Sequence, residues 1–226
     1  MAMDVDEIVQ EMRRHSNSEN VKGMARFGIN PEGTLGICAP DLMAMAKKIG
    51  RDHALAQGLW DSGIHEAKIL AAMVDEPSKV TERQMEKWVK GFDSWDVCDQ
   101  VCMRLFDKTS IAYEKAAEWS GHKEEYVKRA GFALMASLVV HDKKADDGRF
   151  EKFLPIIMRE SCDERNYVKK AVNWALRTIG KRNRKLNIKA IKTAEKIGKM
   201  DSKSARWIAS DALRELKSEA VRARIG

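Results

Sequence analysis

The chain has 226 residues, 44% hydrophobic and 33% charged, with only 4 prolines and a net charge of +7. That balance suits a helix-rich globule with a real core and excludes a disordered chain. No stretch approaches the roughly 18 uninterrupted apolar residues of a membrane span. The polar, acidic start MAMDVDEIVQEMRRH is no signal peptide. A cytoplasmic protein without membrane contact is therefore expected, nucleoid-associated if the source is bacterial or archaeal.

In chain order, residues 4–15 and 19–27 read as short amphipathic helices, and the glycine-rich stretch 28–39 as a loop. Pro40 suits the first turn of a helix that Gly50 closes. Helical patterns follow at DHALAQGLWDSG and HEAKILAAMVDEP, the latter stopped by Pro77. Thr81 and Gln84 form a capping-box pattern ahead of MEKWVKGF. Further helices are predicted over 94–106, with Ser94 as N-cap, over 110–119, and over 126–140, which is apolar enough to be central and buried. After a polar hinge at HDKKADDGR come FEKFLPIIMRES, NYVKKAVNWALRTIG, and helices near 187–198 and 203–217. No strand pattern is found. The four cysteines, Cys38, Cys98, Cys102 and Cys162, form no CxxC pair and lack a nearby histidine, so they read as small buried hydrophobes.

The segments repeat. Tyr126-Val-Lys-Arg-Ala-Gly-Phe-Ala-Leu134 is similar to the stretch from Tyr167 to Leu176, and Lys169–Arg177 to Arg206–Arg214, with a looser copy at His65–Met73. Repeats of about forty residues, each a pair of antiparallel helices, are the signature of HEAT-type solenoids. The expected fold is all-α: one helical repeat domain over 1–226, with 1–35 as an N-terminal cap. The repeated segments would be inner helices lining a concave basic surface. Charge is uneven. Residues 165–226 hold 18 Lys or Arg against 5 Asp or Glu, while the remainder carries 23 basic and 29 acidic residues. Such a basic third fits a polyanion such as nucleic acid, or merely solvated helix faces.

The stretch 94–106, SWDVCDQVCMRLF, places Trp95 and Asp99 on one helical face above an apolar stripe of Cys98, Cys102, Leu105 and Phe106. An aromatic plate beside a carboxylate suits a ligand that develops positive charge next to a ring. A core tryptophan near a surface aspartate is the plainer alternative. The repeat register puts this helix beside those carrying Arg129 and Trp174, so all four residues are expected on one face.

These motifs resemble the AlkD-like DNA alkylation repair family of HEAT-repeat DNA glycosylases. Trp95-Asp96-Val97-Cys98-Asp99 matches its WDxxD motif, Lys128-Arg129 its basic pair, and Tyr167–Arg177 its (F/Y)xxKAxxWALR motif. Ser94 and Asn173 depart from the pattern, where an aromatic and a small residue are common. The resemblance implies excision of cationic N3- or N7-alkylated purines from duplex DNA, with the lesion left in the helix and no cofactor or metal. Asp99 would stabilise the oxocarbenium-like sugar and orient water, Trp95 and Trp174 would pack against the sugar, and Arg129 would hold a phosphate. A general acid is unnecessary, because the base already leaves as a neutralised cation. Lys128, Lys169, Lys170, Arg177 and Arg206 would contact the DNA backbone of a monomeric complex. Asp96 is expected to be structural, and Trp60, Trp88 and Trp207 to be core. A non-catalytic binder of distorted or branched DNA and a protein–protein scaffold remain alternatives on the same fold.

Overall fold

The computed structural model describes residues 4–225 and, among them, no strand. Its α-helices are α1 (Val5–Arg14), α2 (Ser18–Arg26), α3 (Ala39–Ile49), α4 (His53–Asp61), α5 (His65–Val74), α6 (Glu82–Lys90), α7 (Trp95–Arg104) and α8 (Ala112–Ser120). They continue with α9 (Glu125–His141), α10 (Asp147–Glu151), α11 (Phe153–Glu160), α12 (Asn166–Gly180), α13 (Arg184–Ile197), α14 (Lys203–Leu216) and α15 (Glu219–Ile225). The chain is an all-α, HEAT-like helical repeat. It packs as two compact units, Met1–Thr109 and Ser110–Gly226.

In the first unit α5 packs against α3, α4 and α7, and α1 lies on α4. Local sequence sets the helix ends. Asp4 and Glu7 form a full capping box on α1, and Gly50, at a φ of 81°, terminates α3. The Thr81 box is only half made. Thr81 accepts from the Gln84 amide (3.2 Å), but the Gln84 side chain donates to the fully buried Asp75 (2.6 Å) instead of returning to the cap. A buried carboxylate needs donors more than a helix end does. Trp60 and Trp88 stack with centroids 4.2 Å apart beside Phe92 and Phe106, as core residues.

The glycine-rich loop is pinned rather than loose. Glu66, 1% exposed, accepts amide hydrogens from Leu35 (2.8 Å), Gly36 (2.6 Å) and Ile37 (3.3 Å). Gly36 has a φ of 77°, and a Cβ there would lie 2.2 Å from the Asn17 carbonyl oxygen, so only glycine fits.

In the second unit α9, α12 and α14 lie side by side, with α8, α11 and α13 packed against them as a second layer. The repeat shows in its bonds. Arg129 donates to the Tyr167 carbonyl (2.7 Å) and Asn173 to Asp211 (2.7 Å), each pair 38 residues apart. Equivalent positions on α9 and α12 also touch, where the rings of Tyr126 and Tyr167, 41 residues apart, stack with centroids 5.9 Å apart. Helix α9 is buried without a break from Val127 to Val139, as its composition predicts. Each fully buried large side chain, such as Phe132 or Leu134, contributes roughly 1.5–3 kcal/mol.

Candidate nucleic-acid interface

Helix α7 carries the candidate residues of the first unit, Trp95 and Asp99. Ser94 sits at its N-cap position but is fully buried and makes no capping bond with its side chain. Trp95 is half-buried, and its indole N–H donates to the Phe27 carbonyl at the end of α2 (3.0 Å). That bond fixes the plane of the ring. Trp95 walls an apolar recess with Met24, Phe27, Ile29 and Ile37, and the Phe27 side chain is 72% exposed. Asp99 stands one turn further on, half-buried, above the buried Cys98 and Cys102. Burial pushes the Cys102 thiol up, and Cys98 and the Asp99 charge add to this, so the thiol stays neutral.

Asp96 is a tether. Its carboxylate pairs with Nε2 of His65 at 2.8 Å, joining the first turn of α7 to the first turn of α5. Burial alone would lower the His65 pKa, but the bond to Asp96 and its charge outweigh burial and raise it. Burial likewise pushes Asp96 up, and His65 pulls it below the usual carboxylate range. The structural role expected for Asp96 has this physical form.

In the second unit several expected DNA contacts are engaged internally. Lys128 is buried and holds Glu160 (2.5 Å) and Asp163 (3.1 Å) across the α11–α12 junction. Arg165 joins the same cluster (2.6 Å to Asp163). Burial pushes Asp163 up, but Arg165 and Lys128 hold it down at about 2. Lys128 therefore has no ammonium to offer a phosphate. Arg129 is 5% exposed and donates to the Tyr167 carbonyl, and the rings of Tyr126 and Tyr167 stack on one another. Arg177 reaches Glu215 (2.5 Å) and Asp211 (3.4 Å) on α14. Apart from Arg165–Asp163, these pairings lie 32 to 38 residues apart in the chain, and short motifs do not reveal them.

Trp174 has a different setting. It is half-buried and lines a polar recess of about 660 Å³ with Lys143, Lys181, Arg182, Asn183 and Arg224. The sequence reading missed those cations. Arg182 donates to the carbonyls of Val139 (2.6 Å) and Asp142 (3.0 Å) and so ties α12 to the end of α9. Lys170 and Arg206 are exposed, Arg206 beside Asp201 (3.2 Å). Lys169 lies 5.1 Å over the Trp207 ring, and Trp207 is 41% exposed rather than core. The reason is its place on the outer face of α14, whose core face is carried by Ala205, Ile208, Ala209 and Ala212. Among the described residues no cluster of His, Cys, Asp and Glu is arranged to hold a metal, and no helix is long and apolar enough to cross a membrane.

A family model described as DNA alkylation repair enzyme matches residues 8–216. The chain belongs to the DNA alkylation repair family. An uncharacterized protein of Listeria innocua, Lin0241, is 24% identical over 199 residues, covering 86% of this chain and 87% of that one. A solved structure superposes with a TM-score of 0.84 at 22% identity, over 99% of this chain and 97% of the other. It is described as a new family of proteins related to the HEAT-like repeat DNA glycosylases, with affinity for branched DNA structures. That likeness establishes the fold this family member shares.

Proposed function

We propose that this protein is a DNA glycosylase that hydrolyses the N-glycosidic bond of cationic N3- or N7-alkylated purines in duplex DNA, leaving the lesion in the helix. The observation that carries the reading is the first two turns of α7. They hold the Asp99 carboxylate one turn from Trp95, whose indole is fixed by Phe27 and whose helix is anchored by His65. A carboxylate on an anchored helix, one turn from a fixed aromatic face, meets the developing charge of an oxocarbenium-like sugar. The glycosidic C–N bond breaks and its electron pair leaves with the alkylated base, neutralising it; water oriented by Asp99 adds to the anomeric carbon and gives its proton to the Asp99 carboxylate, which passes it to solvent. Trp174 packs against the backbone, with Lys143 and Arg224 supplying charge around it, whereas Lys181 is held by Glu215 (2.7 Å). Lys169, Lys170 and Arg206 are further backbone contacts, and Arg177 and Arg129 support the helices that present them.

One observation favours a second reading, a non-catalytic binder of distorted or branched DNA. Lys128 and Arg129 are engaged within the protein rather than extended towards a ligand, and the related solved structure is described by affinity for branched DNA. Duplex DNA carrying N7-methylguanine separates the two. Release of free base by the purified protein supports the glycosylase, whereas binding without release supports the binder.

A further inference from the structure

A recess in the first unit, of about 360 Å³, collects four cations that the account above does not use. Lys47 rises from the last turn of α3, Arg51 follows Gly50, Arg104 ends α7, and Lys108 lies just beyond it. Met43, 51% exposed, and Met73 supply an apolar rim. Among the described residues that line the recess there is no carboxylate.

Part of this arrangement is structural. Arg51 donates to the carbonyls of Met73 (3.0 Å) and Asp75 (2.5 Å), closing the end of α5. Arg104 donates to Gln100 (3.1 Å), and Lys108 to the Met103 carbonyl (3.3 Å). A helix C-terminus also favours one cation through its dipole. That explains each residue singly and not their collection in one recess. Burial, and then the charges of Arg51 and Arg104, hold the Lys108 ammonium below the usual lysine range, although Asp107 lies 3.8 Å away. Cations that disfavour one another gain when an anion enters among them.

We infer that the Lys47–Arg51–Arg104–Lys108 recess is a second phosphate-binding site that takes the backbone of a separate DNA segment. Its position supports that occupant. Trp95 and Arg104 are nine residues apart on α7, which is two and a half turns, so they project from opposite sides of the helix about 14 Å apart along its axis. A strand held against Trp95 does not reach Arg104 around the helix. The recess therefore serves a second strand or arm, with the methionine rim against its deoxyribose. The inference rests on the reading that this protein binds DNA, and not on whether it excises bases.

The test compares a four-way junction with a linear duplex of the same sequence, using the full chain and the double variant Lys47→Glu/Lys108→Glu. Arg51 is left intact because it closes α5. The variant should bind the junction at least tenfold more weakly and the linear duplex within about twofold, with a junction salt slope shallower by about 1.8, one counterion release for each lost contact. Lys47→Gln/Lys108→Gln, which adds no negative charge, should show a smaller loss in the same direction, and melting curves establish that both are folded. Equal losses on both DNAs would merge the recess with the main interface and overturn the inference. Unchanged junction binding would also overturn it, and inorganic phosphate binding lost in the same variant would then assign the recess to a free anion. If the wild-type protein binds neither DNA, the DNA-binding reading itself falls.

Discussion

Asp96→Asn removes one partner of the pair that fastens α7 to α5. The His65 side chain is 2% exposed and the Asp96 side chain 17%. Without Asp96, burial lowers the His65 pKa, so the ring sheds its proton and what is lost is a charge-assisted hydrogen bond of a buried group, about 2 kcal/mol. In a chain of this size that lowers Tm by about 4–8 °C. The loss should depend on pH. The His65 pKa is raised, so its contribution is complete below its ordinary 6.5 and fades as pH rises through the raised value. The Asp96 pKa is lowered, so its contribution is present above the ordinary 3.8 and fades as pH falls through the depressed value. The pair is strongest between those limits. Urea denaturation of wild type and variant should therefore differ more near about pH 5.5 than near about pH 9. Equal differences at both pH values, or none, would refute the tether.

Gly131→Ala would set a Cβ 2.5 Å from the Ser120 amide nitrogen and 2.9 Å from the Ala116 carbonyl oxygen, both backbone atoms of α8 that cannot yield cheaply. It should cost about 3 kcal/mol, the upper end for overpacking, and a wild-type melting curve would contradict the close α8–α9 approach. Asp163 is held at about 2 against an ordinary 3.8, which stabilises the fold by about 2 kcal/mol above pH 3.8 and is lost as pH falls towards 2. Asp163→Asn should flatten that acid limb of the stability profile; an unchanged limb would remove the Arg165–Asp163–Lys128 cluster from the account.

Helix positions were legible because their signals are local: Asp4 and Glu7 at one start, Gly50 at one end, and the apolar run of α9. The forty-residue self-similarity was legible because α9, α12 and α14 lie side by side and each buries a small, apolar face, so similar residue types recur at similar positions. Helix α15 was missed. It has seven residues, two arginines and Val221 as its one buried side chain, too little for a periodic pattern. Pairings across the repeat were also illegible. Nothing near Lys128 in the sequence announces Glu160 and Asp163, and nothing near Asp96 announces His65. Residue type suggested a basic interface, but which cations remain available is decided by carboxylates about one repeat away. Trp207 was misjudged for a related reason, since a tryptophan on a helix reads as core until the core face of that helix is seen to be filled by smaller residues.

The catalytic assignment of Asp99 is tested most directly by single-turnover release of N7-methylguanine from duplex DNA by wild type and Asp99→Asn, each first shown to be folded. The substitution keeps size and most hydrogen bonding but removes the charge that, on the proposed function, faces the oxocarbenium-like sugar. Release should fall by about 100-fold or more, the scale on which one preorganised electrostatic group acts. Affinity for undamaged duplex should hold or rise, because an anion has left a surface that meets phosphates. Equal release rates for the two proteins would contradict the assignment, and no release by wild type would leave the DNA-binding reading in its place.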